Sequence, residues 1–193
     1  MSPRRLYGPV VLAMLATGGL AFFAAGRTWA EAEVRAEGLA SATVRVTGAD
    51  AQPLVSALAV VVVTAALAIL AAGHRMRRVV GVLTVVVSVA AIVLVPRPGG
   101  GGLVDAVRAA AEKSPAYTSP SSIGDISYSP WPFVAIAAFV LAIVLGAVTV
   151  RLAGAWPTMS SRYDAPGAAK QLPPDASSSD MWKAMDRGDD PTA

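Results

Sequence analysis

The stretch WPFVAIAAFVLAIVLGAVTV, running from Trp131 to Val150, contains no charged residue, and Thr149 is its only hydroxyl side chain. A helix rises about 1.5 Å per residue, so this segment covers the roughly 30 Å hydrocarbon layer of a bilayer. A water-soluble helix keeps a polar face, and this one has none. Reading outward, three more uncharged stretches run from Tyr7 to Gly26, Pro53 to Gly73 and Val79 to Val95. The third is the shortest and is rich in Val and Ile, which are poor helix formers in water. In lipid an unsatisfied backbone group costs far more than propensity does, so it too is expected to be helical. The fold class predicted is an all-α membrane protein with four transmembrane helices at 7–26, 53–73, 79–95 and 131–150.

Composition supports this class. Of 193 residues, 54% are hydrophobic and 15% charged, with a mean hydropathy of +0.55. The charges lie almost wholly in the connections and the tail, and the net charge of +3 matters less than its distribution. No basic stripe is interleaved with aromatics, so nothing resembles a nucleic-acid footprint. The chain has no cysteine and one histidine, which excludes disulfides, thiolate metal sites and cysteine nucleophiles and leaves no histidine pair for zinc. Residues 1–6 form a short basic start, and the apolar run after it ends in Phe23-Ala-Ala-Gly26, somewhat like a secretory signal. That run, from Leu6 to Gly26, is longer than the roughly 7–15-residue core of a cleaved signal, so retention as a membrane anchor is expected.

Threading follows from the positive charges. Arg4 and Arg5 precede the first span, and Arg75, Arg77 and Arg78 fill the turn 74–78 between the second and third. By the positive-inside bias both belong on the cytoplasmic side. The loops 27–52 and 96–130 carry mixed charge and are expected outside. Both termini are then cytoplasmic, in a plasma-membrane, multi-pass protein. Trp29 and Trp131 would be interfacial anchors at the outer ends of spans one and four, with Tyr7 and Trp156 near the inner ends.

Small residues mark the candidate packing seams: Ala13, Thr17, Ala21 and Ala25 in the first span, and Ala138, Ala142 and Gly146 in the fourth. Alanine is common in this chain, so chance alignment competes with that reading. The span hydroxyls, Thr17, Ser56, Thr64, Thr84, Ser88 and Thr149, can each bond a carbonyl one turn back. No Asp, Glu, His, Lys or Arg falls inside a predicted span, which argues against an ion-coupled pump or transporter.

Outside the spans, Val44 and Val46 alternate with Thr43, Arg45 and Thr47, a strand pattern ending in Gly48. Glu31, Glu33 and Glu37 read as a solvated helical face after Trp29. Gly99 to Gly102 lack the Gly-Lys-Ser/Thr ending of a phosphate loop and read as a hinge. Leu103 to Lys113 follows as a short helix, with Leu103, Val104, Val107 and Ala111 on one side, resting on the membrane surface or the bundle. Ser114 to Pro130 is expected to be irregular. No nucleophile–base pair, metal set or cofactor loop is apparent, and the chain is not expected to be an enzyme.

The tail, 151–193, begins with a juxtamembrane motif at Trp156, Pro157, Ser161, Arg162 and Tyr163. A flexible Pro/Ala/Ser linker follows, then a short helix near 180–187. Met181, Trp182 and Met185 gather on one side of that helix, with Asp186 and Arg187 beside them. A short tethered helix with a Trp–Met face suits docking into a groove on another protein. The tail balances basic and acidic residues and so has no net pull to an anionic leaflet.

Trp156-Pro157 with Met-Ser-Ser-Arg-Tyr-Asp164, the stretch from Asp180-Met-Trp-Lys-Ala-Met-Asp-Arg-Gly188 to Thr192, and Val44-Arg-Val-Thr-Gly48 resemble the actinobacterial tryptophan-biosynthesis-associated membrane proteins. The four-span layout is similar to that family as well. The resemblance implies association with the tryptophan pathway and implies no particular reaction. The leading expectation is a non-enzymatic scaffold or regulator that docks soluble tryptophan-pathway proteins through its tail, possible homo-oligomerisation included. The alternative is transport or export of tryptophan, indole or a related neutral aromatic. No cofactor, metal or nucleic acid is expected.

Overall fold

The computed structural model describes residues 3–35, 40–156 and 182. A 3-10 turn at Pro3–Leu6 leads into α1 (Tyr7–Ala25), followed by the strands β1 (Thr28–Val34) and β2 (Ala42–Thr47). A single turn, α2 (Gly48–Ala51), precedes α3 (Pro53–Ala71) and α4 (His74–Leu94). Then come α5 (Gly101–Ala111), a 3-10 turn at Pro120–Ser122, β3 (Ile123–Tyr128) and α6 (Trp131–Leu152), which runs on as a 3-10 turn, Ala153–Ala155. Among the described residues, four helices are long and apolar enough to cross a membrane: α1, α3, α4 and α6 with its 3-10 extension. α1 packs on α3 and α6, and α4 packs on the same two, so the four form one bundle.

The seams are built from small residues. Thr17, Ala21 and Ala25 of α1 are buried, as are Ala138, Ala142 and Gly146 of α6. Where α4 crosses α6 the backbones nearly touch. A Cβ on Gly81 would lie 3.0 Å from the Gly146 carbonyl oxygen, and one on Gly146 would lie 3.0 Å from that of Gly81. With little hydrophobic force between helices in lipid, such close approach is what holds them together. Thr17, Ser56, Thr64, Thr84 and Thr149 each donate to a carbonyl one turn back in their own helix. Ser88 Oγ departs from that pattern, being buried without a hydrogen-bond partner.

At one end of the bundle the chain departs from the all-α expectation. β1, β2 and β3 form an antiparallel sheet in the order β2-β1-β3. Glu31 and Glu33 therefore lie on a strand and not on a helical face, and Glu37 lies outside the described residues. The segment from Ser114 to Pro130, expected to be irregular, supplies β3, whose Ile126 pairs with Ala32. Single-sequence signals for β3 are weak because its only apolar residues are Ile123, Ile126 and Tyr128; pairing with β1 makes it a strand.

The helix α5 packs on β1 and β2. Its Leu103, Val107 and Ala111 are fully buried. Gly99 takes a left-handed φ of 74°, Gly100 caps the helix, and Gly101 and Gly102 belong to its first turn, so this glycine run is a turn and helix start.

Trp29 corrects the interfacial-anchor reading. A bulge between Thr28 and Ala30 turns its ring inward, where it is 0% exposed and its indole N–H donates to the Ala24 carbonyl at 2.8 Å. The ring lies flat against Gly48, where any Cβ would come within 2.3 Å of it. Thr47 and Asp50 then close a reciprocal cap around α2, which delivers the chain to Pro53 at the start of α3. The Val44–Gly48 motif thus ends in glycine because an indole occupies the space of a side chain.

Candidate functional site at the arginine end of the bundle

The opposite end is assembled from the start of α1, the end of α3, the start of α4 and the end of α6. The residues 74–78, expected as a turn, are the opening of α4, and only Ala72 and Gly73 separate it from α3. Helical phase then decides what each arginine does. Arg77, Val80, Gly81, Thr84, Ser88 and Ala91 are the buried positions of α4, spaced three or four apart, so Arg77 points into the bundle. It is 2% exposed, whereas Arg75 and Arg78 are exposed.

Burying a guanidinium is costly unless its donors are used and its charge is answered. Here Arg77 Nε donates to the Ile69 carbonyl at 3.1 Å, among the last carbonyls of α3. Those oxygens carry the negative end of the helix dipole, which favours a cation there. The guanidinium also lies over the Tyr7 ring, 4.7 Å from its centroid, and Nη2 approaches the Tyr7 hydroxyl at 3.4 Å. Trp156 meets the same tyrosine edge-on, with ring centroids 5.3 Å apart and an interplanar angle of 63°. Trp156 is buried. The two aromatics expected as interfacial anchors at the inner span ends are one packed pair, and with Arg77 they tie together the ends of all four long helices.

The arrangement fastens Trp156, at the end of the turn Ala153–Ala155, to the start of α1. Of the juxtamembrane motif, Trp156 is in place, while Pro157, Ser161, Arg162 and Tyr163 lie outside the described residues. Of the tail motif, Trp182 is helical and 67% exposed; Met181, Met185, Asp186 and Arg187 lie outside the described residues. The chain divides into two units, residues 1–157 and 158–193, and Trp182 belongs to the second.

At the sheet end the charged groups are paired on the surface. Arg45 meets Glu31 at 3.4 Å and Arg108 meets Asp105 at 4.0 Å. Arg35 donates to Glu33, which holds the Glu33 carboxyl below its ordinary value and raises that of Arg35. Arg27 stacks over Phe23 at 4.1 Å. The clefts here are shallow; one of about 410 Å³ is lined by Thr28, Glu31, Ser127, Tyr128 and Trp131. No group of three or more His, Asp or Glu side chains among the described residues could hold a metal ion.

The family model described as tryptophan-associated transmembrane protein matches residues 11–192 of the chain. No curated protein and no solved structure matches it.

Proposed function

We propose, for a chain that belongs to the family of tryptophan-associated transmembrane proteins, a non-catalytic role: a membrane-anchored scaffold or regulator for soluble tryptophan-pathway proteins. The family and the four apolar helices make it a multi-pass membrane protein. In the proposed threading through the plasma membrane, both termini and the arginine end face the cytoplasm and the sheet end faces outward. The C-terminal segment, with Met181, Trp182, Met185, Asp186 and Arg187, then presents a docking face to cytoplasmic proteins, and the Trp156 junction holds its base.

One observation carries this reading. Trp182 leaves two thirds of its surface uncovered, whereas Trp29 and Trp156 are buried. A large aromatic left open is what a helix-in-groove contact uses as its anchor. Photocrosslinking in native membranes from a probe at residue 185 tests it. Soluble tryptophan-pathway proteins should be captured by the wild-type chain and lost with Trp182→Ala; identical captures from both would refute the proposal.

Transport of a neutral aromatic has less support. The surfaces between the helices are filled by Met14, Val55, Val62, Ile69 and Phe139, all fully buried, and the clefts described above lie outside the bundle. Changed accumulation of indole or tryptophan in a deletion strain, with pathway flux held constant, would restore that alternative.

A further inference from the structure

We propose that the arginine end of the bundle carries a binding collar for the headgroups of anionic phospholipids, formed by Arg5, Arg75, Arg78 and Arg151. The four side chains are exposed and come from three different helix ends: the turn before α1, the first turn of α4 and the last turn of α6. They share one end because Arg77 reaches both Ile69 and Tyr7, and Arg78 Nη2 lies 3.4 Å from where a Cβ on Gly154 would stand. Each sits within about one turn of an uncharged, membrane-length run, the depth at which lipid phosphates lie.

The charge there is uncompensated by the bundle itself. No acidic residue occurs in 1–30, 51–104 or 126–163, the segments that build the spans and this end. The sheet end, by contrast, pairs Arg35, Arg45 and Arg108 with carboxylates. A guanidinium presents a planar fork that suits phosphate oxygens, and a juxtamembrane basic cluster is drawn to anionic lipid.

The spread around the bundle selects the ligand class. A single small anion needs convergent donors, and the inward-pointing arginine, Arg77, is buried with its guanidinium over the Tyr7 ring. Lipid phosphates are many and distributed, as these arginines are. Beyond Arg151 the tail carries four basic and six acidic residues, a net charge of −2 against the +4 of the collar. The inference is independent of the docking role proposed for Trp182.

The test uses the full chain in mixed phosphatidylcholine–phosphatidylglycerol nanodiscs. Lipids retained by the protein are counted by native mass spectrometry at low and high ionic strength. Phosphatidylglycerol should be enriched, and the enrichment should fall with salt. An arginine at an anionic surface contributes about fivefold in affinity, so R75Q/R78Q should lower the preference by about ten- to twenty-five-fold. The pair R5Q/R151Q, on different helices, should act in the same direction and guards against a local folding defect in α4, which far-ultraviolet circular dichroism would reveal. R45Q/R108Q at the sheet end, where both arginines meet carboxylates, should leave the preference unchanged. Equal retention of both lipids by the wild-type chain, a preference that survives both collar variants, or an equal loss in the sheet-end variant would each overturn the proposal.

Discussion

The two ends of this bundle handle charge in opposite ways. At the sheet end, both signs are present and meet on the surface of a small antiparallel sheet, while the interior is aromatic and aliphatic, centred on Trp29. At the arginine end the charged side chains among the described residues are all cations, and one of them is inside, held by the Ile69 carbonyl and lying over the Tyr7 ring. The difference shows where each end obtains its order. The sheet end behaves like a small soluble domain, in which burial of apolar surface supplies the stability. The arginine end lies at the edge of the membrane, where helix termini leave carbonyls that need donors, and a buried arginine serves as one.

That contrast can be broken in stages. The largest effect is expected from Trp29→Ala, which removes the centre of the sheet end and the bond to Ala24; the loss should be about 3–5 kcal/mol. Thermal unfolding in detergent should then show the sheet signal melting well before the helical signal, and a single unshifted transition would contradict the proposed separation of the two ends. Arg77→Met keeps the aliphatic stem and removes the guanidinium, leaving the Ile69 carbonyl without its Nε donor. Loss of a bond from a charged donor should cost about 2–3 kcal/mol, read as faster denaturation in dodecyl sulfate, with the sheet end unaffected.

Smaller changes sharpen the comparison. Thr47→Ala removes one half of the reciprocal cap on α2 and should cost about 1 kcal/mol in the same melting measurement, confined to the sheet end. The mildest effect is expected from the exposed Glu33–Arg35 pair. Its carboxyl is held below the ordinary glutamate value, so any stabilisation is complete above that value and disappears as pH falls through the depressed one. Arg35→Gln should therefore differ slightly from wild type near neutral pH and not at all in acid. A gap that widens as pH falls would count against the pairing.

Sidedness can be mapped on the same axis because the chain has no cysteine to interfere. Single replacements Arg5→Cys and Ser129→Cys mark the two ends. In intact cells an impermeant thiol reagent should label position 129 and spare position 5; the reverse pattern would invert the proposed threading.

Much of this was legible in the residues, and the reason is physical in each case. Lipid imposes long uncharged runs, so the four spans stand out without any partner being known. The alternation of Val44 and Val46 with Thr43 and Arg45 marks β2, because one face of an edge strand is buried and the other wet. β3 is not legible in the residues alone, since Ile123–Tyr128 becomes a strand through its pairing with β1, almost a hundred residues away. Arg77 sits beside Arg75 and Arg78 in a run that reads as a turn, and its spacing to Val80, Gly81 and Thr84 puts it on the inner stripe of α4. Tryptophan at a span boundary is ambiguous, as at Trp29 and Trp156; only contacts separate an interfacial indole from a buried one.

Hydrophobicity and charge spacing determined by themselves that this chain is a four-helix membrane protein with basic residues gathered at one set of span ends. Those properties depend on the solvent, bilayer or water, which each segment meets alone. The tertiary structure decided the sheet order, the burial of Trp29 against Gly48 and the joining of Tyr7, Arg77 and Trp156. Each depends on side chains far apart in sequence competing for the same space or the same carbonyl, and that competition exists only once the helices are side by side.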